Sequence, residues 1–268
     1  MGTTPIKLAF MPVSKPGTKA PKKTASSSSA KGKPRNTSPV RASPAEARSR
    51  RISGDLAPER ITAILKALDE AYPNAVCALN HKTPWELLVA TILSAQCTDV
   101  RVNMVTPELF RRFPTPAVMA KAPIPELEDL IRTTGFFRNK AKSIKGAAQA
   151  IVDEFGGEVP RTLHELITVP GAARKTANVV LGVSYGLAEG VVVDTHVFRI
   201  ARRLGLARGD TPQKVEEELM KVLPKEKWIE FSHQIIHHGR QVCLARNPKC
   251  NICNLEQLCH SKDKTWHS

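Results

Sequence analysis

From about residue 57 onward the apolar residues return at helical spacing, and nearly every run is bounded by a helix start or stop. Ile61, Ile64, Leu65, Leu68 and Tyr72 follow the i, i+3, i+4, i+7 stripe of an amphipathic helix. Thr83-Pro84-Trp85-Glu86 is a capping box with proline at the first helical position, opening the run Leu87 to Leu93. Further helices are expected at 100–112, from Thr115-Pro116, at 125–133 before Gly135, and at 139–155 before Gly156-Gly157. A second capping box, Thr162-Leu163-His164-Glu165, opens a short helix that ends at Val169-Pro170-Gly171. Then come 174–183, a helix at 195–204 capped by Asp194, another from Thr211-Pro212 through Leu223, and a last one at 227–237. Val191-Val192-Val193 is the only strand-like run and is too short for a sheet. The class is all-α, with no repeat at a solenoid period.

Charge narrows the function. The 268 residues carry 40 Lys and Arg against 25 Asp and Glu, a net +15. A balance that basic points to a polyanion, usually nucleic acid. No apolar run reaches the roughly 18 to 20 residues of a membrane-spanning helix, so no membrane partner is expected. Residues 1–51 hold twelve of the basic residues and one acid, Glu46, a net +11, in a Ser-, Pro- and Ala-rich stretch without apolar periodicity. Such a stretch cannot bury enough surface to offset its ordering entropy, so residues 1–52 are expected to be a disordered basic tail. An acid-poor, Ser- and Arg-bearing composition also suits an organelle transit segment, and both readings stand. If the tail touches a polyanion, deleting residues 1–51 should weaken binding to it and flatten the salt dependence of that binding. A salt slope unaltered by the deletion would show that it does not.

Of six cysteines, Cys77 and Cys97 stand alone in apolar surroundings and read as inert core thiols. Cys243, Cys250, Cys253 and Cys259 crowd into seventeen residues as C-x6-C-x2-C-x5-C. Four thiolates can share one centre, which is either zinc or an iron–sulfur cluster. Zinc sites usually bring two short knuckles, and here there is one, so the spacing leans towards [4Fe–4S]. Between the first two ligands, the loop Leu244 to Lys249 presents Arg246 and Lys249, suited to phosphate contact or simply solvated.

The turn at Pro170-Gly171-Ala172-Ala173 joins two helices, and the free N–H groups that open the second can grip a phosphate without reading bases. Lys175 lies in that helix's first turn beside Ala177, Val179, Val180 and Leu181. The positive helix end and desolvation would both favour its neutral, nucleophilic amine. Asp194 emerges from three valines and caps the next helix; it serves either as a cap alone or as the charge partner of that amine.

Val169-Pro170-Gly171, Arg174 to Val180, Val193-Asp194-Thr195-His196-Val197-Phe198-Arg199 and the four cysteines resemble the endonuclease III family of helix-hairpin-helix DNA glycosylases. Leu93 to Asp99 and Gly135 to Ala141 match that family's other signature stretches, and the resemblance spans about residues 58–262. It implies a monomeric, cytoplasmic enzyme at the nucleoid that removes oxidised pyrimidines from damaged double-stranded DNA and cleaves the abasic site by β-elimination. The implied fold is two helical lobes with DNA in the cleft between them. A six-helix lobe spans 78–188, with its helix-hairpin-helix at about 162–183. A cluster lobe combines 53–77 with 189–268. Lys175 would be the nucleophile, Asp194 its partner, and the four cysteines the ligands of a [4Fe–4S] cluster. Gln96 would fill the gap left by a flipped base, and Phe136, with Phe137 beside it, would be the wedge. Gly171, Ala173 and Arg174 would form the phosphate grip, and His196 would lie near the site.

One position departs from the family pattern, in which the turn usually reads G-x-G: here it reads Gly171-Ala172-Ala173. A left-handed alanine costs roughly 1 kcal/mol, so a strained hairpin with weakened phosphate contact is expected. That strain favours an alternative reading, a cluster-stabilised DNA-binding module whose glycosylase activity has faded. Adenine-mismatch glycosylases are a nearer rival, but that family generally lacks the hairpin lysine that stands here as Lys175.

Overall fold

The computed structural model describes residues 56–266, so the basic tail lies outside the described residues. Eleven α-helices and no strand occur among them. They are α1 (Pro58–Ala71), α2 (Pro84–Leu93), α3 (Asp99–Arg112), α4 (Pro116–Ala120), α5 (Ile124–Ile131), α6 (Phe137–Phe155), α7 (Leu163–Leu166), α8 (Arg174–Tyr185), α9 (Thr195–Arg203), α10 (Pro212–Val222) and α11 (Trp228–Gln241). None of the described helices is long and apolar enough to cross a membrane.

Side chains start six of these helices. Thr83, Thr98, Thr115, Thr162, Thr211 and Asp194 each accept a backbone N–H of the first turn. These caps satisfy donors that would otherwise have no partner, and each typically contributes about 1 kcal/mol. In the first capping box the returning Glu86 carboxylate accepts from the N–H of Lys82, one residue before the cap, at 2.6 Å.

Some boundaries differ from the sequence expectation. The helix opening near Pro125 ends at Ile131, and a 3-10 turn, Arg132–Thr134, carries the chain to Gly135. The last helix runs to Gln241 rather than stopping at 237, because His238 and Gly239 are buried against neighbours and hold its final turn. Val191-Val192-Val193 forms no strand. Val191 and Val193 are buried, and the N–H of Val192 donates to Ser232 Oγ at 3.1 Å.

The buried apolar residues fall into two clusters. The first draws on Leu79 through Leu181: α6 packs on α4 and α5, and α2 packs on α8. The second combines Ile64, Leu65 and Leu68 of α1 with Val191 through Leu255, centred on Phe231 and on the packing of α9 against α11. Glu216 of α10 stitches the two together. Its carboxylate, 7% exposed, accepts from Arg174 Nε at 3.1 Å and from Asn178 Nδ2 at 2.9 Å, both on α8.

Candidate functional site

Lys175, in the first turn of α8, and Asp194, at the start of α9, both line one cavity, of about 110 Å3. Residues 76–79, Thr91, Ser94 and Asp99 close one side; Ser232, His233, Ile236, His237 and Arg240 of α11 close the other. Arg240 pairs with Asp99 across it. Burial, and then the neighbouring His237, hold His233 below the usual imidazole range. The α11 residues were missed by sequence reasoning, although His233, His237 and Arg240 stand at i, i+4 and i+7, the spacing that puts side chains on one helix face.

Asp194 caps α9 with Oδ1 alone, which accepts the N–H groups of His196 and Val197 at 2.8 Å each. Lys175 sits in the first turn of α8, as its sequence position implied, but it is exposed. The desolvation expected from its apolar neighbours is absent, because Ala177, Val180 and Leu181 turn into the core on the opposite face.

The hairpin expectation needs correction. Ala173 has φ −62° and ψ 162°, ordinary extended backbone at the N-cap of α8, so it carries no left-handed strain. The left-handed residue of the turn is Gly171, at φ +82°. A Cβ there would also stand 3.0 Å from Ser143 Cβ and 3.3 Å from Ile92 Cδ1. The glycine the turn needs is therefore present, and Ala173→Gly has no strain to relieve. Glycine is the better N-cap but the more flexible residue, and the two effects roughly cancel. Affinity for undamaged duplex should stay within about threefold in a titration; a tenfold gain, about 1.4 kcal/mol, would restore the strain argument. Arg174 points to Glu216 with a half-exposed side chain, so it braces the hairpin as well as lying beside it.

Three non-glycine residues among those described adopt positive φ: Gln96 (53°), Phe136 (47°) and Asn247 (50°). Left-handed backbone is uncommon for side chains such as Gln and Phe, and such outliers gather at functional sites. Gln96 is exposed, and Phe136 projects with 65% of its surface open. Behind the Phe136 turn, Lys140 is 5% exposed and donates to the carbonyl of Thr134 at 2.8 Å, tying the loop to α6. Phe137 is half-buried between the guanidinium groups of Arg132 and Arg138, so it supports the turn rather than projecting from it. Asn247 lies between Arg246 and Lys249, both exposed. His196 does not line the cavity. Its ring packs against Gly239 and contacts Arg199 at 3.3 Å.

Cys243, Cys250, Cys253 and Cys259 line a second cavity, of about 30 Å3, together with Arg203, Pro248 and Lys264. Among the described residues no three His, Cys, Asp or Glu side chains converge closely enough to hold one metal ion. Arg203 Nη1 donates to Cys243 Sγ at 3.3 Å, and the N–H of Thr265 to Cys250 Sγ at 3.4 Å.

The fold and these residues define a helix-hairpin-helix protein of base excision repair. The HhH-GPD superfamily of base excision DNA repair proteins matches residues 89–225. Endonuclease III of Synechocystis is 55% identical over 76% of this chain and 93% of its own length. The Bacillus subtilis enzyme is 43% identical over 77% and 94%, and the Escherichia coli K12 enzyme 41% over 75% and 95%. A solved trapped covalent intermediate of endonuclease III with DNA superposes with a TM-score of 0.72 at 44% identity, covering 76% of this chain and 96% of that one. A thermostable thymine-DNA glycosylase, 20% identical with a TM-score of 0.66, shares the fold. The chain belongs to the endonuclease III family.

Proposed function

We propose that this DNA glycosylase/AP lyase acts on oxidised pyrimidines flipped out of damaged duplex DNA, with Lys175 as nucleophile and Asp194 as its charge partner. The observation that carries the assignment is the shared wall: an amine from the hairpin helix and a carboxylate from the next helix face one cavity. A base inside a duplex is out of reach of any side chain, so extrusion comes first. Gln96 and Phe136, exposed on left-handed backbone, suit insertion into the gap. The turn at Gly171 and the N-terminus of α8, with Arg174 braced by Glu216, suit the phosphate grip, and Arg246 and Lys249 a second contact.

The chemistry follows from an amine. The neutral Lys175 Nζ attacks C1′, the C1′–N bond breaks, and its electron pair leaves with the base, which takes up a proton. Loss of proton from nitrogen and ring opening leave a Schiff base, which a hydroxyl or thiol nucleophile cannot form. The imine acidifies the C2′ proton; its removal expels the 3′ phosphate with the C3′–O electron pair. Asp194, with one oxygen in the cap, stabilises positive charge developing on the sugar and assists proton transfer.

The four-cysteine cavity fits a [4Fe–4S] cluster. Its candidate donors are all thiols and all four border one space, and the C-x6-C-x2-C-x5-C spacing leans the same way. Cys243, Cys250, Cys253 and Cys259 would hold the cluster, which would supply folding energy to the C-terminal segment. The module reading loses its support, because Ala173 is unstrained. Single-turnover cleavage of a thymine-glycol duplex, with borohydride trapping, tests the assignment: a covalent adduct and strand scission are expected. Binding without either would return the module reading.

A further inference from the structure

His238 is the buried link in a chain of polar contacts that the reaction does not use. It lies on α11 with 1% of its surface exposed. Its Nδ1 is 3.0 Å from the phenol oxygen of Tyr72, and its Nε2 is 3.6 Å from the sulfur of Cys253. The two rings meet edge to face, with centroids 5.8 Å apart. Tyr72 closes α1, so the chain joins the first described helix to the cysteine segment.

A neutral imidazole has one N–H and one lone pair. If Nε2 donates to sulfur, Nδ1 must accept, and a buried acceptor needs a donor opposite it. The Tyr72 hydroxyl is that donor. Cys243 and Cys250 meet N–H groups that need no such help, a guanidinium and a backbone amide. Cys253 depends on a ring whose tautomer must be set from its far side. We propose that Tyr72 and His238 form a relay that presents an N–H to the Cys253 sulfur, orienting that thiolate and drawing charge from it as a cluster ligand. Both are positioning residues, and the inference rests on the cluster reading above. Hydrogen bonds to ligand sulfurs favour the more electron-rich, reduced state of a cluster, so this donor raises the reduction potential.

The test uses the full-length cluster-loaded protein and reads iron per chain, reduction potential by film voltammetry and the Fe–S(Cys) stretches by resonance Raman. His238→Phe keeps a ring but removes the donor. It should retain the iron, shift the potential to more negative values and raise a stretching frequency. His238→Gln, which offers an N–H at a similar reach, should restore both towards the unaltered values. Tyr72→Phe removes one oxygen and should shift both in the same direction as His238→Phe, by less. Iron-loaded His238→Phe and Tyr72→Phe proteins with unaltered potential and stretches would overturn the relay while leaving the cluster in place. If His238→Phe fails to fold, Tyr72→Phe decides alone. Unaltered protein without iron would overturn the cluster reading and the relay with it.

Discussion

Lys175→Gln should abolish borohydride trapping on abasic and thymine-glycol duplexes and lower turnover by on the order of 10^6-fold, the scale expected when a covalent nucleophile is removed. The substitution is structurally mild. Lys175 is exposed, and the brace between α8 and α10 runs through Arg174 and Asn178 instead. One positive charge among many is lost, so affinity for undamaged duplex should fall by less than about tenfold. Asp194→Asn separates charge from architecture. The cap on α9 needs only an oxygen acceptor, and asparagine caps about as well as aspartate, so the melting temperature should hold. Base release should nonetheless slow by on the order of 10^2-fold, because an amide does not stabilise a developing sugar cation as a carboxylate does. Trapping that survives Lys175→Gln undiminished would move the nucleophile elsewhere.

The sequence made the helices legible because they announce their own starts. Thr83, Thr115, Thr162 and Thr211 each precede proline or a capping box, and each is found capping with its side chain. Lys175 and Asp194 were singled out by their places at helix starts, where the structure also puts them, and their pairing by the likeness of the surrounding motifs to the endonuclease III family. What failed was inference about conformation and exposure. A motif comparison put the strain at Ala173, but a turn distributes its dihedrals by geometry, and Gly171 alone takes the positive φ. Apolar neighbours in sequence suggested that Lys175 is desolvated, yet on a helix those neighbours point away from it. Glu216 was invisible for a different reason: its partners Arg174 and Asn178 lie about 40 residues away, and nothing local marks a buried carboxylate. The left-handed backbone at Gln96 and Phe136 was equally hidden, since neither residue favours it and only the surrounding loops impose it.

The other large effect belongs to the cysteines. Cys243→Ser should cost the protein its cluster and about 4 kcal/mol or more of stability, the scale of a lost metal site, or roughly 8–16 °C in melting temperature at this chain length. The segment after α11 explains why. Among its described residues there is no α-helix, only two 3-10 turns, Cys250–Ile252 and Glu256–Leu258. Among those residues Leu255 is the one buried apolar anchor in the second core, with Leu258 packed against it partly buried. Polar ties supplement this: Arg203 holds the carbonyls of Leu244 and Ala245, and Asn254 reaches the carbonyl of Ala67. Such ties contribute about 1 kcal/mol each and cannot by themselves order a segment of this length. Metal binding and folding should therefore be coupled here, and removing one of four ligands should release both. Cys77→Ser and Cys97→Ser are the controls. Both residues pack against the first core and neither lines the cysteine cavity, so both variants should keep about four irons per chain and the yellow-brown colour. Stoichiometric zinc in protein prepared anaerobically from iron-replete cells would refute the cluster. A Cys243→Ser protein that melts with the unaltered one would refute the coupling.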